Sequence, residues 1–116
     1  MLQNNQPLSI DFDQGIRSLG SRDTHIRYLL RFTDDDTYVK LRTCVAIHDW
    51  RQAFHYAHTL KGLSAQLCLA KVFESCSSLC ELLRNPDFVN EYAVSNQFVV
   101  LAKAYSNAVR LIKMLV

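Results

Sequence analysis

Apolar side chains along this chain recur at steps of three and four and nowhere alternate for long, a pattern that predicts helices throughout. A short first helix runs from about Ser9 to Leu19, with Phe12, Ile16 and Leu19 at helical spacing and Gly20 placed to end it. Ser21 or Asp23 can cap the next helix, which turns Ile26, Leu29, Leu30 and Phe32 inward. The run Asp34-Asp35-Asp36 marks a kink or a restart, because negative charge favours a helix N-terminus. Beyond it Tyr38, Leu41, Val45 and, at the margin, Ile47 continue an apolar stripe. His48-Asp49 reads as the turn before a new helix from about Trp50 to Leu67. The segment from Leu69 to Arg84 then sets Val72, Phe73, Cys76, Leu79, Cys80 and Leu83 on one side. Asn85-Pro86 is a stop and restart signal, with Pro86 suited to a first helical turn. The last helix begins somewhere between Asp87 and Ser95 and carries Val94, Phe98, Leu101, Tyr105, Ala108, Ile112 and Leu115. Those steps alternate four and three, the seam of a helix packed in a bundle. The fold class expected is all-α: an antiparallel four-helix bundle with a short extra N-terminal helix across it.

Composition narrows this picture without changing it. A chain of 116 residues suits a single domain over 1–116, and its 49% hydrophobic content can fill a core of that size. With 13 basic against 11 acidic residues, the net charge of +2 makes no case for a nucleic-acid partner, which calls for a clustered basic face. Met1–Gln6 lacks the basic-then-apolar pattern of a signal peptide, and no stretch approaches the roughly 20 apolar residues that span a bilayer. A soluble cytoplasmic protein, away from membranes, is the expectation. Its cysteines, Cys44, Cys68, Cys76 and Cys80, form no C-x-x-C pair and should stay reduced there. Cys76 and Cys80 are four apart and share a helix face, as small buried hydrophobes would.

Candidate chemistry concentrates in one segment, Ala57-His58-Thr59-Leu60-Lys61-Gly62-Leu63-Ser64-Ala65-Gln66-Leu67. At about 100° per residue, Ala53, Tyr56, Ala57, Leu60, Leu63 and Leu67 fall on one side and face the bundle. His58 points the other way. Lys61, Gly62 and Ala65 neighbour it on the outer face, with Phe54 and His55 a turn before and Gln66 at the edge. A mid-helix glycine costs about 1 kcal/mol relative to alanine. Gly62, one turn from His58, leaves space beside the imidazole, and Ala65 extends the same shallow bed. Lys61 can reach an anion attached to the ring. The set suits a phosphoryl group on His58 that another protein must approach closely.

The run His58-Thr59-Leu60-Lys61-Gly62 resembles the signature of the histidine-containing phosphotransfer (HPt) domain family: histidine, any residue, leucine, lysine, glycine, then small residues. The resemblance extends over nearly the whole chain, through Ile10-Asp11 at the first helix, Tyr28-Leu29-Leu30 with Phe32, and Cys76-Ser77-Ser78-Leu79. The family glutamate is present near Cys80-Glu81-Leu82, or shifted by a residue. Two positions depart from the pattern. The family has asparagine or a small residue near Gln66, and a glycine at Cys68 that often closes the histidine helix at positive φ. Cys68 carries a Cβ, so it strains such a position or forces another turn. The resemblance implies a covalent phosphoryl carrier, not an ATP-binding enzyme, and the three glycines are too far apart for a phosphate loop. It implies His58 as the accepting nucleophile and Lys61 as the group offsetting phosphoryl charge. It implies as partners the receiver domains of response regulators and of a hybrid sensor histidine kinase. No cofactor is expected in this chain; Mg²⁺ belongs to the partner receiver. A monomer is expected.

Rival readings attach to the same residues. An HPt-like interaction module would bind a receiver or kinase without carrying phosphate, but it has no need of an intact His58. A metal-binding bundle could use His55 and His58, yet neither a carboxylate set nor Glu-x-x-His pairs on facing helices accompany them. Phe54, His55 and Gln66 are then candidates for partner docking, Trp50 is either core or docking surface, and His25 and His48 are expected on the surface.

Overall fold

Asp11 starts the first helix: its carboxylate accepts from the backbone N–H of Gln14 at 2.9 Å, an N-cap that fixes where coil becomes helix. The structure, a computed structural model, describes residues 10–116. Six α-helices follow: α1 (Phe12–Leu19), α2 (Arg22–Asp34), α3 (Thr37–Ala46), α4 (Trp50–Gln66), α5 (Ala70–Leu83) and, after a 3₁₀ turn at Pro86–Phe88, α6 (Glu91–Lys113). No strand occurs among the described residues. The all-α bundle read from the sequence is therefore what the chain forms. Its first helix starts later than expected; of the residues assigned to it ahead of Asp11, Ser9 lies outside the described residues and Ile10 is a buried residue preceding the helix.

Local chemistry explains the breaks. Gly20 ends α1 at φ 92°, and the Ser21 hydroxyl caps α2 through Thr24 N–H at 3.1 Å. The acidic run does restart the chain: Asp35 lies extended, and its carboxylate accepts from Thr37 N–H at 2.8 Å. Both ends of the following turns use one device. After α3, His48 N–H bonds to Val45 C=O and Asp49 N–H to Cys44 C=O; after α4, Cys68 N–H bonds to Ala65 C=O and Leu69 N–H to Ser64 C=O. Each is a Schellman turn, with its left-handed residue a non-glycine: His48 at φ 61° and Cys68 at φ 62°. Asp49 then caps α4 through Gln52 N–H at 3.2 Å. The chain turns away at His48, so Ile47 is exposed and does not continue the α3 stripe.

Helices α3, α4, α5 and α6 make the bundle, α4 lying between α3 and α5, and α5 against α6. Three-residue turns reverse the chain between α3 and α4 and between α4 and α5. Tyr38, early in α3, stacks on Tyr105, late in α6, at 3.9 Å between ring centroids; His48, past the end of α3, meets Glu91 at the start of α6 at 3.4 Å. Those two pairings run α3 and α6 antiparallel. The core holds Leu29, Leu41, Leu60, Leu69, Leu79, Leu83, Leu101 and Ile112 with less than 2% exposure, each worth about 1.5–3 kcal/mol of burial. Cys76 and Cys80 are free and buried in it. Burial pushes the Cys76 thiol up to about 12, so it stays protonated near neutral pH.

The N-terminal helices attach at the end of α4. Asp11 N–H donates to Cys68 C=O at 2.9 Å, and His25 Nε2 bonds to Leu67 C=O at 2.7 Å. A carbonyl only accepts, so Nε2 carries the hydrogen. The His25 ring is fully buried, its Nδ1 has no hydrogen-bond partner, and the Phe12 ring meets it edge-on at 5.5 Å. A Cβ on Gly15 would fall 2.0 Å from His25 Nδ1. This corrects two expectations. His25 is core, not surface, because a main-chain carbonyl satisfies it. The inward residues of α1 are Phe12, Gly15 and Leu19; Ile16 is exposed, because the ring needs the notch that glycine leaves.

Candidate functional site

Helix α4 is fixed at both ends, by the Asp49 cap and by the turn at Cys68, and the segment of interest occupies its C-terminal half. Ala53, Ala57, Leu60 and Leu67 are buried, with Tyr56 and Leu63 half-buried at the rims. Ser64 joins them fully buried, its hydroxyl donating to Lys61 C=O at 2.9 Å. The opposite side carries His58, Gly62, Ala65 and Gln66 in the open. Helical periodicity places all of these as read, apart from Ser64, whose polar side chain hides its inward position behind a local bond to the preceding turn.

The half-buried Phe54 ring supports the His58 imidazole, centroids 6.0 Å apart and planes tilted by 32°. His55, also exposed, turns to the edge of Tyr56 at 5.2 Å instead. These two exposed histidines of α4 therefore sit on different aromatic supports. Beside His58, the position of Gly62 is open: an added Cβ would meet nothing within 4 Å. The Lys61 ammonium lies over the Phe73 ring of α5, 5.9 Å from its centroid. Its charge also reaches the Cys76 and Cys80 thiols, partly offsetting the rise that burial causes in both. Phe73 as a seat for Lys61 carries no signal in the sequence, since only the α4–α5 packing joins the two.

Toward the end of α4 a hollow of about 350 Å³ opens between Leu63, Gln66 and Leu67 on one side and Tyr28, Arg31, Phe32 and Asp35 on the other. Gln66 thus links the outer face of α4 to the surface of α2. No cluster of three or more histidine, cysteine, aspartate or glutamate side chains suited to a metal ion occurs among the described residues. None of their helices is long and apolar enough to cross a membrane.

A family model described as Hpt domain matches residues 33–110. The chain belongs to the Hpt domain family. The matched span opens on the last residues of α2, takes in α3, α4 and α5 whole, and closes within α6. Helix α1 and most of α2 lie outside it. Neither a curated protein nor a solved structure is matched by the chain. Membership of the Hpt family assigns involvement in histidine phosphotransfer within phosphorelays, as a phosphocarrier module that works with receiver domains.

Proposed function

We propose that His58 is the residue that accepts and donates the phosphoryl group. The carrying observation is the pairing of an exposed imidazole with an unfilled glycine position one turn away, in a helix of this family. A ring nitrogen with a free lone pair attacks the phosphorus of a receiver's aspartyl phosphate. The N–P bond forms, the P–O bond breaks, and the aspartate leaves as a carboxylate; the ring loses its other N–H proton to solvent. The reverse sequence passes the group onward. Gly62 and Ala65 give the receiver room to bring its phosphoryl group in line. Lys61, now seated over Phe73, is drawn by the phosphoryl oxygens and offsets their charge. Phe54 holds the imidazole, and His55 and Gln66 border the docking surface. The receiver supplies Mg²⁺ and the acid cluster, and positioning supplies most of the rate. The donors and acceptors are receiver domains of response regulators and of a hybrid sensor kinase, met by a monomer in the cytoplasm.

The test is transfer from a receiver phosphorylated on aspartate, in the presence of Mg²⁺. The protein should gain one acid-labile, base-stable phosphoryl group, the behaviour of a phosphoramidate, and should stay unmodified with ATP alone. The label should disappear in His58→Gln and persist in His55→Gln. Labelling that survives in His58→Gln moves the site elsewhere. Refusal of the group from every receiver of the source organism favours a binding module that carries no phosphate.

A further inference from the structure

Helices α3 and α6 enclose a second open groove, of about 720 Å³, to which α4 contributes no residue. The stacked rings of Tyr38 and Tyr105 meet at it, their planes within 5° of parallel. Arg42 enters from α3, and Arg110 and Lys113 from α6. Val39, Val109 and Met114 lie among them, with Val39 and Met114 46% and 70% exposed. On α6 two rows at four-residue spacing, Tyr105-Val109-Lys113 and Ser106-Arg110-Met114, run along the wall for about 14 Å at 1.5 Å per residue. Basic and apolar groups therefore alternate across a concave surface.

No carboxylate lines this groove. Ahead of α3, Asp36 is paired with Lys40 at 3.3 Å; Asp35, at the end of α2, accepts from Thr37 N–H and keeps its charge, which bears on Tyr105 from outside the groove lining. Among the described residues the ion pairs are Lys40 with Asp36, His48 with Glu91 and Arg84 with Glu81, so none includes a cation of the groove. Met1–Ser9 contains no acidic residue that could serve. Arg110 is held by the Asn107 side-chain carbonyl, which orients the guanidinium without neutralising it. Arg42 lines the groove beside the stacked rings, and its charge partly offsets the upward push of burial on the Tyr38 hydroxyl, while the Asp35 charge adds to that push at Tyr105. Like charges gathered in a concave surface focus the field outward and favour an anionic occupant. The apolar side chains between them favour one that also carries hydrophobic groups. A helix or an extended segment can enter such a groove; a flat bilayer surface cannot.

We propose that the α3–α6 groove docks an acidic, partly apolar segment of a partner protein, on a face separate from His58. Charged residues supply steering and selectivity there, and Val39, Val109 and Met114 supply the buried contact.

The test uses the full chain and a fluorescent helical peptide with glutamate and leucine at bundle spacing. Anisotropy should show saturable binding that weakens with salt. Reversing charge in Arg42→Glu/Arg110→Glu should weaken it by about tenfold or more. The neutral pair Arg42→Gln/Arg110→Gln should lose less and guards against misfolding, which circular dichroism monitors. Amide shifts on titration should map to α3 and α6. Absence of saturable binding overturns the proposal, as does equal affinity in the charge-reversed variant, equal affinity for a lysine-for-glutamate peptide, or shifts confined to α4. Stronger dependence on the same arginines for phosphatidylglycerol vesicles than for the peptide would make the groove a lipid site and also overturns it. His58→Gln should bind the peptide normally, and Arg42→Glu/Arg110→Glu should still accept phosphoryl on His58. Failure of either reading is thereby told from failure of the other.

Discussion

Two glycines sit inside helices of this protein, and their surroundings are opposites. Each gives up about 1 kcal/mol of helix propensity relative to alanine. At Gly15 the fold explains the loss, since the space belongs to the His25 ring and an added Cβ would stand 2.0 Å from its Nδ1. At Gly62 the chain itself makes no use of the space: nothing lies within 4 Å of where a Cβ would be. One gap is filled from within by α2 and locks α1 in place. The other stays open beside an exposed histidine, where the proposed function gives it to an approaching partner. A glycine's neighbours thus separate a filled gap from an open one where the sequence alone shows two equal letters.

Substitutions can break or sharpen that contrast. The largest effect on stability is expected at the filled gap: Gly15→Ala should destabilise by about 1–3 kcal/mol in urea unfolding, from overpacking against His25. The same change made in a His25→Ala background should cost far less, and a double-mutant cycle reads the difference. Equal costs in both backgrounds would mean that the ring moves freely and the notch is not specific. At the open gap, Gly62→Gln should leave melting unchanged or gain up to about 1 kcal/mol through helix propensity, yet block transfer to His58. Unimpaired transfer would remove the steric argument for an external partner. Cys68→Gly, at the left-handed turn ending the same helix, should gain up to about 1 kcal/mol in chemical unfolding. A loss instead would show that the half-buried thiol contributes more by packing than its backbone costs. The smallest change in stability, within about 0.5 kcal/mol, is expected for Lys61→Ala, with slower transfer or a shorter-lived phosphohistidine. Collapse of the melting transition with transfer intact would make its seat on Phe73 the real role of Lys61.

The difference between the two gaps also marks where sequence reading succeeds. Val94, Leu101, Ala108 and Ile112 are buried on α6 as their spacing predicts, because a long helix keeps its period along the face it turns to the bundle. His58 and Gly62 face outward for the same reason. His25 defeats the reading because its partner, the Leu67 carbonyl, is a main-chain group 42 residues away that no side-chain pattern announces. Ile16 fails with it, displaced by a glycine that offers no hydrophobic signal. Ile47 is lost to a turn whose left-handed residue is a histidine, not the glycine that normally marks such a stop. At Cys68 the expectation of a glycine-like position does hold in the backbone, at φ 62°, despite the Cβ.

The attachment of α1 and α2 has a consequence for how freely the chain can vary. Both acceptors that hold these helices to the end of α4 are backbone carbonyls, at Leu67 and Cys68. Every amino acid brings that same oxygen, so the anchor reads the path of the main chain and ignores the letters on it. Substitutions at 67 and 68 that preserve the turn should leave the N-terminal helices in place, whereas a single change at His25 releases one of the two ties. Mutational tolerance is therefore lopsided across this contact: loose at the end of α4, strict at His25, which lies outside the family's matched span.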